Sequence, residues 1–252
     1  MNLELGKISD WISSNYLSIN VDKTVYLLFS GKKPTPPHMK LEIFRKEVHL
    51  KTNTKFLGIY IDNKLNWKAH IQYATAKISC MIGIISKLQS CLTIPAMRTL
   101  YLSLVHNHLR YGLTFWGAAN KSELNKIFIL QKKMIRIIHR ADYLAHTDPL
   151  FQRSFILKLN DMRRIEMCKF IYTDLNRVNH FQFSTRTETH GHDTRNRNLL
   201  NLPIPRSNIL RNSVFFQGIQ DYNEIYDHVK LAPSRNSFKY QIKKEIVSMY
   251  SS

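Results

Sequence analysis

The chain has 252 residues, 44% of them apolar, with only eight glycines and eight prolines, so it is long enough to bury a core and is neither low-complexity nor disordered in composition. Lys and Arg outnumber Asp and Glu by 37 to 18, a formal charge of +19 with a pI near 9.9; this favours a polyanionic partner, nucleic acid being the commonest large one, over a merely soluble basic protein. No apolar run approaches the roughly 18 residues that span a bilayer, and the amino terminus lacks the basic-then-apolar order of a secretory signal, so the expectation is an intracellular protein, nuclear or cytoplasmic, not secreted and with no membrane partner.

In chain order, Leu5, Ile8, Trp11 and Ile12 recur at helical spacing, which predicts a helix ending near Asn15. The alternating run Thr24 to Ser30 predicts a strand, Gly31 to Pro37 a turn, and Glu42 to Leu50 and Lys55 to Asp62 two further strands. From Asn66 onward the period becomes helical. One apolar stripe runs through Ile71, Ile78, Met81, Ile85 and Leu88; a second, with Pro95 in its first turn, runs through Met97, Leu100, Tyr101, Leu104 and Leu109. A third helix, about Ser122 to Arg140, turns Leu124, Ile127, Phe128, Ile135 and Ile138 inward and carries Lys132, Arg136 and Arg140 one turn apart on another face. That basic row suits a line of phosphates, or it is an ordinary solvated face. A fourth helix spans about Asp161 to Leu175, a polar irregular stretch covers about 181–205, and helices near Asn208 to Gln220 and Phe238 to Tyr250 close the chain. The fold class expected is mainly α with a small α+β N-terminal piece. Cys80, Cys91 and Cys168 are too few and scattered for a disulfide framework and are expected as reduced thiols in the core.

Several ordered motifs then carry a resemblance. The series Trp11-x3-Asn15-x-Leu17-x-Ile19-Asn20-x2-Lys23-Thr24-x4-Phe29 is followed by Phe56-Leu57-Gly58-Ile59-x-Ile61-Asp62-x2-Leu65-x-Trp67-x2-His70-Ile71. Further along stand Leu109-Arg110-Tyr111-Gly112-x3-Trp116-Gly117, Leu130-Gln131-Lys132-Lys133-x-Ile135-Arg136, His192-x-Thr194-Arg195 and Ser237-Phe238-Lys239. Each is short, and the specificity lies in their order. Together they resemble the stretch after the catalytic motif in jockey-like non-long-terminal-repeat retrotransposon reverse transcriptases. The resemblance implies an incomplete reverse-transcriptase palm over 1–65, a helical thumb over 66–145 and a helical carboxy-terminal region over 146–252. It also implies RNA-directed DNA polymerase activity in the intact parent, with Mg²⁺ held by aspartates. This chain departs from the pattern in two ways. It contains no Asp-Asp pair, so no catalytic residue and no cofactor of its own is expected, and the resemblance places that pair upstream; it also has Tyr222-Asn223 where the family more often shows Trp-Asn.

By the same resemblance, Lys23 stands where a polymerase lysine assists the leaving pyrophosphate, a role open only in an intact enzyme; otherwise it is a spectator. Gly58 falls in a primer-grip-like turn, or marks a simple bulge. The thumb reading makes Lys64, Lys68, Lys77, Lys87, Lys132, Lys133, Arg136 and Arg140 contacts to the phosphates of a primer–template RNA·DNA hybrid, read without sequence preference. Tyr73, Tyr101 and Tyr111 are either base-stacking or core aromatics. His180, His190, His192 and Cys168 suggest zinc, but their spacing does not support a metal site.

Overall fold

A computed structural model of the chain describes residues 2–29, 40–178, 180–190 and 198–251. It divides into two compact units, Met1–His70 and Ile71–Ser252. The protein is mostly helical with a small sheet region.

The first unit opens with α1, Asn2–Ser14, ending where the sequence predicts. Only one side of it is used. Ile12 is buried and Leu5 packs on the small core, whereas Ile8 and Trp11, expected inward, are exposed. After a single 3₁₀ turn, Val21–Lys23, strand β1 covers only Val25–Tyr26 of the longer run expected; the Gly31 to Pro37 turn lies outside the described residues.

The two strands expected next are instead two hairpins. Strands β2, Leu41–Ile43, and β3, Lys46–Leu50, pair antiparallel around Phe44 and Arg45, whose φ angles are 51° and 60°. Strands β4, Asn53–Phe56, and β5, Ile59–Asp62, pair the same way around Leu57 and Gly58, at 45° and 84°. Two successive left-handed residues match the twist of a two-residue hairpin loop, but that loop usually announces itself as Asn-Gly or Asp-Gly. Phe44-Arg45 carries no such signal, and alternation across the reversal looks like one strand. Reversal is what lets Leu41, Ile43 and Val48 enter one core with Val21, covered by Ile19, Tyr26 and Leu5. β1 joins β3 in parallel, giving the order β1-β3-β2.

In the second unit, α2, Lys68–Lys87, buries Ile71, Ala74, Ile78, Ile82 and Ile85. The stripe therefore passes through Ile82 where Met81 was expected, and Leu88 lies beyond the helix, partly exposed. Thr93 caps α3, Ile94–Leu100, by accepting from the Ala96 N–H, and Pro95 sits in its first turn as expected. A wide π turn over Tyr101–Val105 then leads into α4, His106–Arg110. The extra residue in that turn rotates the apolar face: Val105 is buried and Leu104, expected inward, is exposed.

A short α5, Leu113–Trp116, precedes α6, Lys121–His139, which buries Leu124, Ile127, Met134, Ile135 and Ile138. After α7, Asp148–Arg153, comes α8, Leu159–Thr173, packed by α4, α5, α6 and two later helices and accordingly buried on nearly every side. Cys168 lies within it, while Cys80 and Cys91, expected in the core, are exposed because they occupy the outer face of α2 and the loop after it. The polar stretch includes a short helix α9, Arg186–His190, and a Thr185–Leu200 bridge. The chain ends with α10, Asn208–Arg211; α11, Ile219–Asn223; α12, Asp227–Lys230; and α13, Arg235–Ser248, capped by Ser234. Trp116, Tyr101, Phe151 and Phe238 are the largest fully buried side chains.

Candidate nucleic-acid interface

The ordered motifs first explain themselves as architecture. Asp62 ends β5 and its carboxylate accepts three backbone N–H groups, from Lys64 and Asn66 on Oδ1 at 3.0 and 3.1 Å and from Trp67 on Oδ2 at 2.8 Å. It thereby holds a turn in which Leu65 and Trp67 adopt positive φ and from which α2 starts. His70 accepts from the Tyr60 N–H, and burial pushes its imidazole down to about 4.

The Leu109 to Gly117 motif is a corner. Leu109 and Trp116 are fully buried, Gly112 supplies the left-handed φ of 64°, and the Trp116 Nε1–H donates to the Tyr111 carbonyl at 2.8 Å. A Cβ on Gly117 would sit 2.3 Å from the Leu113 carbonyl oxygen and 2.9 Å from the Arg163 side chain, so only glycine fits.

Gln131, fully buried on α6, is a hub. Its Nε2 donates to Tyr101 Oη and to the Leu157 carbonyl, and its Oε1 accepts the Leu159 N–H that opens α8, each at 2.9 Å. Tyr101 is thus a core residue whose phenol burial pushes up; Tyr111 is exposed and Tyr73 half-buried beneath the Lys77 ammonium at 6.0 Å.

The expected phosphate contacts fall into three groups. In the first unit, Lys23, Lys64 and Lys68 are exposed, and Gly58 takes the second position of the β4–β5 hairpin turn, neither inside a strand nor in a bulge. Lys77 and Lys87 project from α2. On α6, Lys133 is exposed, whereas Lys132 lies 4.6 Å over the Phe128 ring. Arg136 Nε donates to the Ala145 carbonyl at 2.9 Å, and Arg140 Nη2 donates to the Gln89 and Leu92 carbonyls at 3.0 Å each. Gln89 Nε2 answers by donating to the Ile137 carbonyl, so Arg140 straps the end of α6 to the loop after α2. These two arginines therefore already hold backbone, with some N–H groups left to face outward.

Lys132 and Arg136 border a groove of about 540 Å³ that also takes in His146, Lys158 and the carboxylates of Asp148 and Asp161, with Lys158 ion-paired to Asp148 at 2.9 Å. Beside it lies a second groove of about 830 Å³ lined by Lys121, Asn125, Arg163, Asn212 and Gln217; Phe128 and Asn160 belong to both. Amides and cations along α6 and the start of α8, with the Asp148 and Asp161 carboxylates among them, thus form one polar trough. The sequence reading missed Lys121, Lys158, Arg163 and the asparagines, which are scattered along the chain; only the packing of α6 on α8 gathers them.

Among the described residues, no group of three or more His, Cys, Asp or Glu side chains is placed to hold a metal ion. His192 and the His190 side chain lie outside the described part. No described helix is long and apolar enough to cross a membrane.

Neither a protein-family model nor a solved structure matches the chain. Among curated proteins, it is 29% identical over 161 residues, 62% of its length, to an RNA-directed DNA polymerase from mobile element jockey of Drosophila melanogaster. It is 28% identical over 55% of its length to a probable RNA-directed DNA polymerase from transposon BS, and 25% over 57% to one from transposon X-element, both of the same fly. The matches span only 16 to 17% of these relatives' lengths. Over more than half its length, the chain is therefore related to a stretch of the jockey-like, non-long-terminal-repeat retrotransposon RNA-directed DNA polymerases.

Proposed function

We propose that this chain is a reverse-transcriptase-related segment that binds primer–template RNA·DNA hybrid through phosphate contacts in the α6–α8 trough and does not polymerise DNA by itself. In this reading, residues 1–65 are the end of a palm, 66–145 a thumb and 146–252 the carboxy-terminal region, acting in the nucleus or cytoplasm. The observation that carries it is the trough: five cations, Lys132, Arg136, Lys158, Lys121 and Arg163, against two carboxylates, Asp148 and Asp161, line it amid asparagines and Gln217, in a chain of net charge +19 related to polymerases that copy RNA. Such a surface suits backbone recognition because ammonium and guanidinium groups pair with phosphates while amides reach sugar hydroxyls, with no need to read bases. Catalysis is assigned to the paired aspartates of a complete polymerase, which this sequence does not contain.

Hybrid binding measured by fluorescence anisotropy should weaken steeply between 50 and 200 mM salt, with a log–log slope of roughly −0.7 to −0.9 per phosphate neutralised. Combining Lys132→Met with Lys121→Met, both in the trough, should lower affinity and flatten that slope by about one for each phosphate left without its lysine. Salt-independent binding, or an unaltered slope in the double variant, would remove the trough from the interface. Primer extension with Mg²⁺ and deoxynucleotides should show no incorporation; extension by the isolated chain would sink the non-catalytic part.

A further inference from the structure

Away from the trough, a cavity of about 210 Å³ opens between the α4 region and α13. Its polar lining is His106, Arg110, Glu166, Lys239 and Lys243, over apolar walls that include Phe155 and Met162. The charges do not balance. Among the described residues, Glu166 is the one carboxylate lining it, and it is committed to Arg110 at 2.7 Å and to Lys169 at 2.7 Å. Among the described residues, neither Lys239 nor Lys243 has a carboxylate within ion-pair distance, and the Lys243 ammonium rests 4.2 Å over the Phe155 ring. Burial, then the nearby charges of Arg98 and Lys239, push Lys243 down to about 8. Lys239 is lowered too, by burial and by Arg110. His106 has its Nδ1 sealed from solvent with no hydrogen-bond partner, and burial pushes its imidazole down to about 4, so it is neutral near pH 7.

Half-buried like charges repel more strongly than they would in water, and a folded chain keeps them together when something of opposite sign shares the space. We propose that this cavity is an oxyanion site that takes a phosphoryl group, with Lys243, Lys239 and Arg110 as counter-charges. The volume falls short of the roughly 300 Å³ at which sites for drug-sized ligands begin, which favours a small tetrahedral anion over a nucleobase. None of these residues lines the trough, so the proposal stands apart from hybrid binding. The phosphoryl group comes either from a nucleic-acid backbone or from free phosphate or pyrophosphate.

Thermal unfolding of the full chain at constant ionic strength tests it. Sodium phosphate or pyrophosphate should raise Tm by several degrees in a saturable way, with sodium chloride as the control. Lys243→Met, which keeps the apolar stem over Phe155, should abolish that rise while leaving the anion-free Tm equal or higher, because a repulsive charge has gone. Lys239→Met should weaken the rise independently, guarding against a local folding defect in one variant. An equal rise with chloride, no rise with either phosphate, or full rises in both variants overturns the proposal. Hybrid binding by Lys243→Met then separates the sources: weaker binding with a flatter salt slope points to a backbone phosphate, and unchanged binding to a free anion.

Discussion

The two compact units bury their apolar residues very differently. In Met1–His70 the core cluster is Val21, Leu41, Ile43 and Val48, while Trp11, Tyr16, Phe56 and Leu57 are exposed, Tyr16 almost completely. In Ile71–Ser252, Trp116, Tyr101, Phe151 and Phe238 are fully enclosed, and even Gln131 and Lys169 are buried with their polar atoms paired. The difference is partly one of scale, since a small unit cannot enclose the surface that a larger one can, and partly of topology. Three short strands and a separate hairpin leave unpaired edges, whereas a helix such as α8 satisfies its own backbone and offers every face for packing.

The enclosed unit is most vulnerable at Gln131. Gln131→Leu would strand the Leu159 N–H, the Tyr101 hydroxyl and the Leu157 carbonyl in a dry core, and should cost on the order of 3 kcal/mol, read from urea denaturation. Gly117→Ala, forced against the Leu113 carbonyl, should cost about 2 kcal/mol in the same measurement. Asp62→Ala removes the acceptor of three N–H groups in the first unit and should cost about 1 to 2 kcal/mol, less because the turn is nearer solvent. A loss at Asp62 exceeding that at Gln131 would reverse the ranking of the two units.

Acid titration probes both units at once. His70 in the first unit and His106 in the second are both held near 4 against an ordinary 6.5. Their folded values are depressed, so the unfolded chain takes up protons first. Their stabilising contribution is full above pH 6.5 and is lost as pH falls towards 4. His70→Asn and His106→Asn should each remove part of that slope; identical slopes in both variants and the parent would acquit the histidines. The smallest effect on stability is expected from Trp11→Gln with Leu57→Gln, both exposed, which should leave the denaturation midpoint nearly unchanged while raising the solubility limit.

Local sequence rules were enough for much of the second unit. Pro95 announces the first turn of α3, and the apolar period of Ser122 to Arg140 announces α6 to within a residue, because such signals act within a few positions. The hairpin at Phe44-Arg45 was not legible, since left-handed φ in such residues is imposed by the core that the reversal completes. The π turn at Tyr101–Val105 was hidden as well, because nothing in the local sequence marks the residue that slips.

The site divides along the same line. By itself the sequence determined that the chain is basic, mainly helical in its larger part, related to jockey-like polymerases and without an Asp-Asp pair. Only the tertiary structure decided which cations are committed: Arg140 to the Gln89 and Leu92 carbonyls, Arg136 to the Ala145 carbonyl, Lys158 to the Asp148 carboxylate and Arg163 to the Asn212 carbonyl, all brought near Lys132 or the loop after α2 by packing. Charge and period are properties of residues and their near neighbours. The partner of a long flexible cation depends on which distant carbonyl or carboxylate packing brings within about 3 Å, and that is settled only when the helices meet.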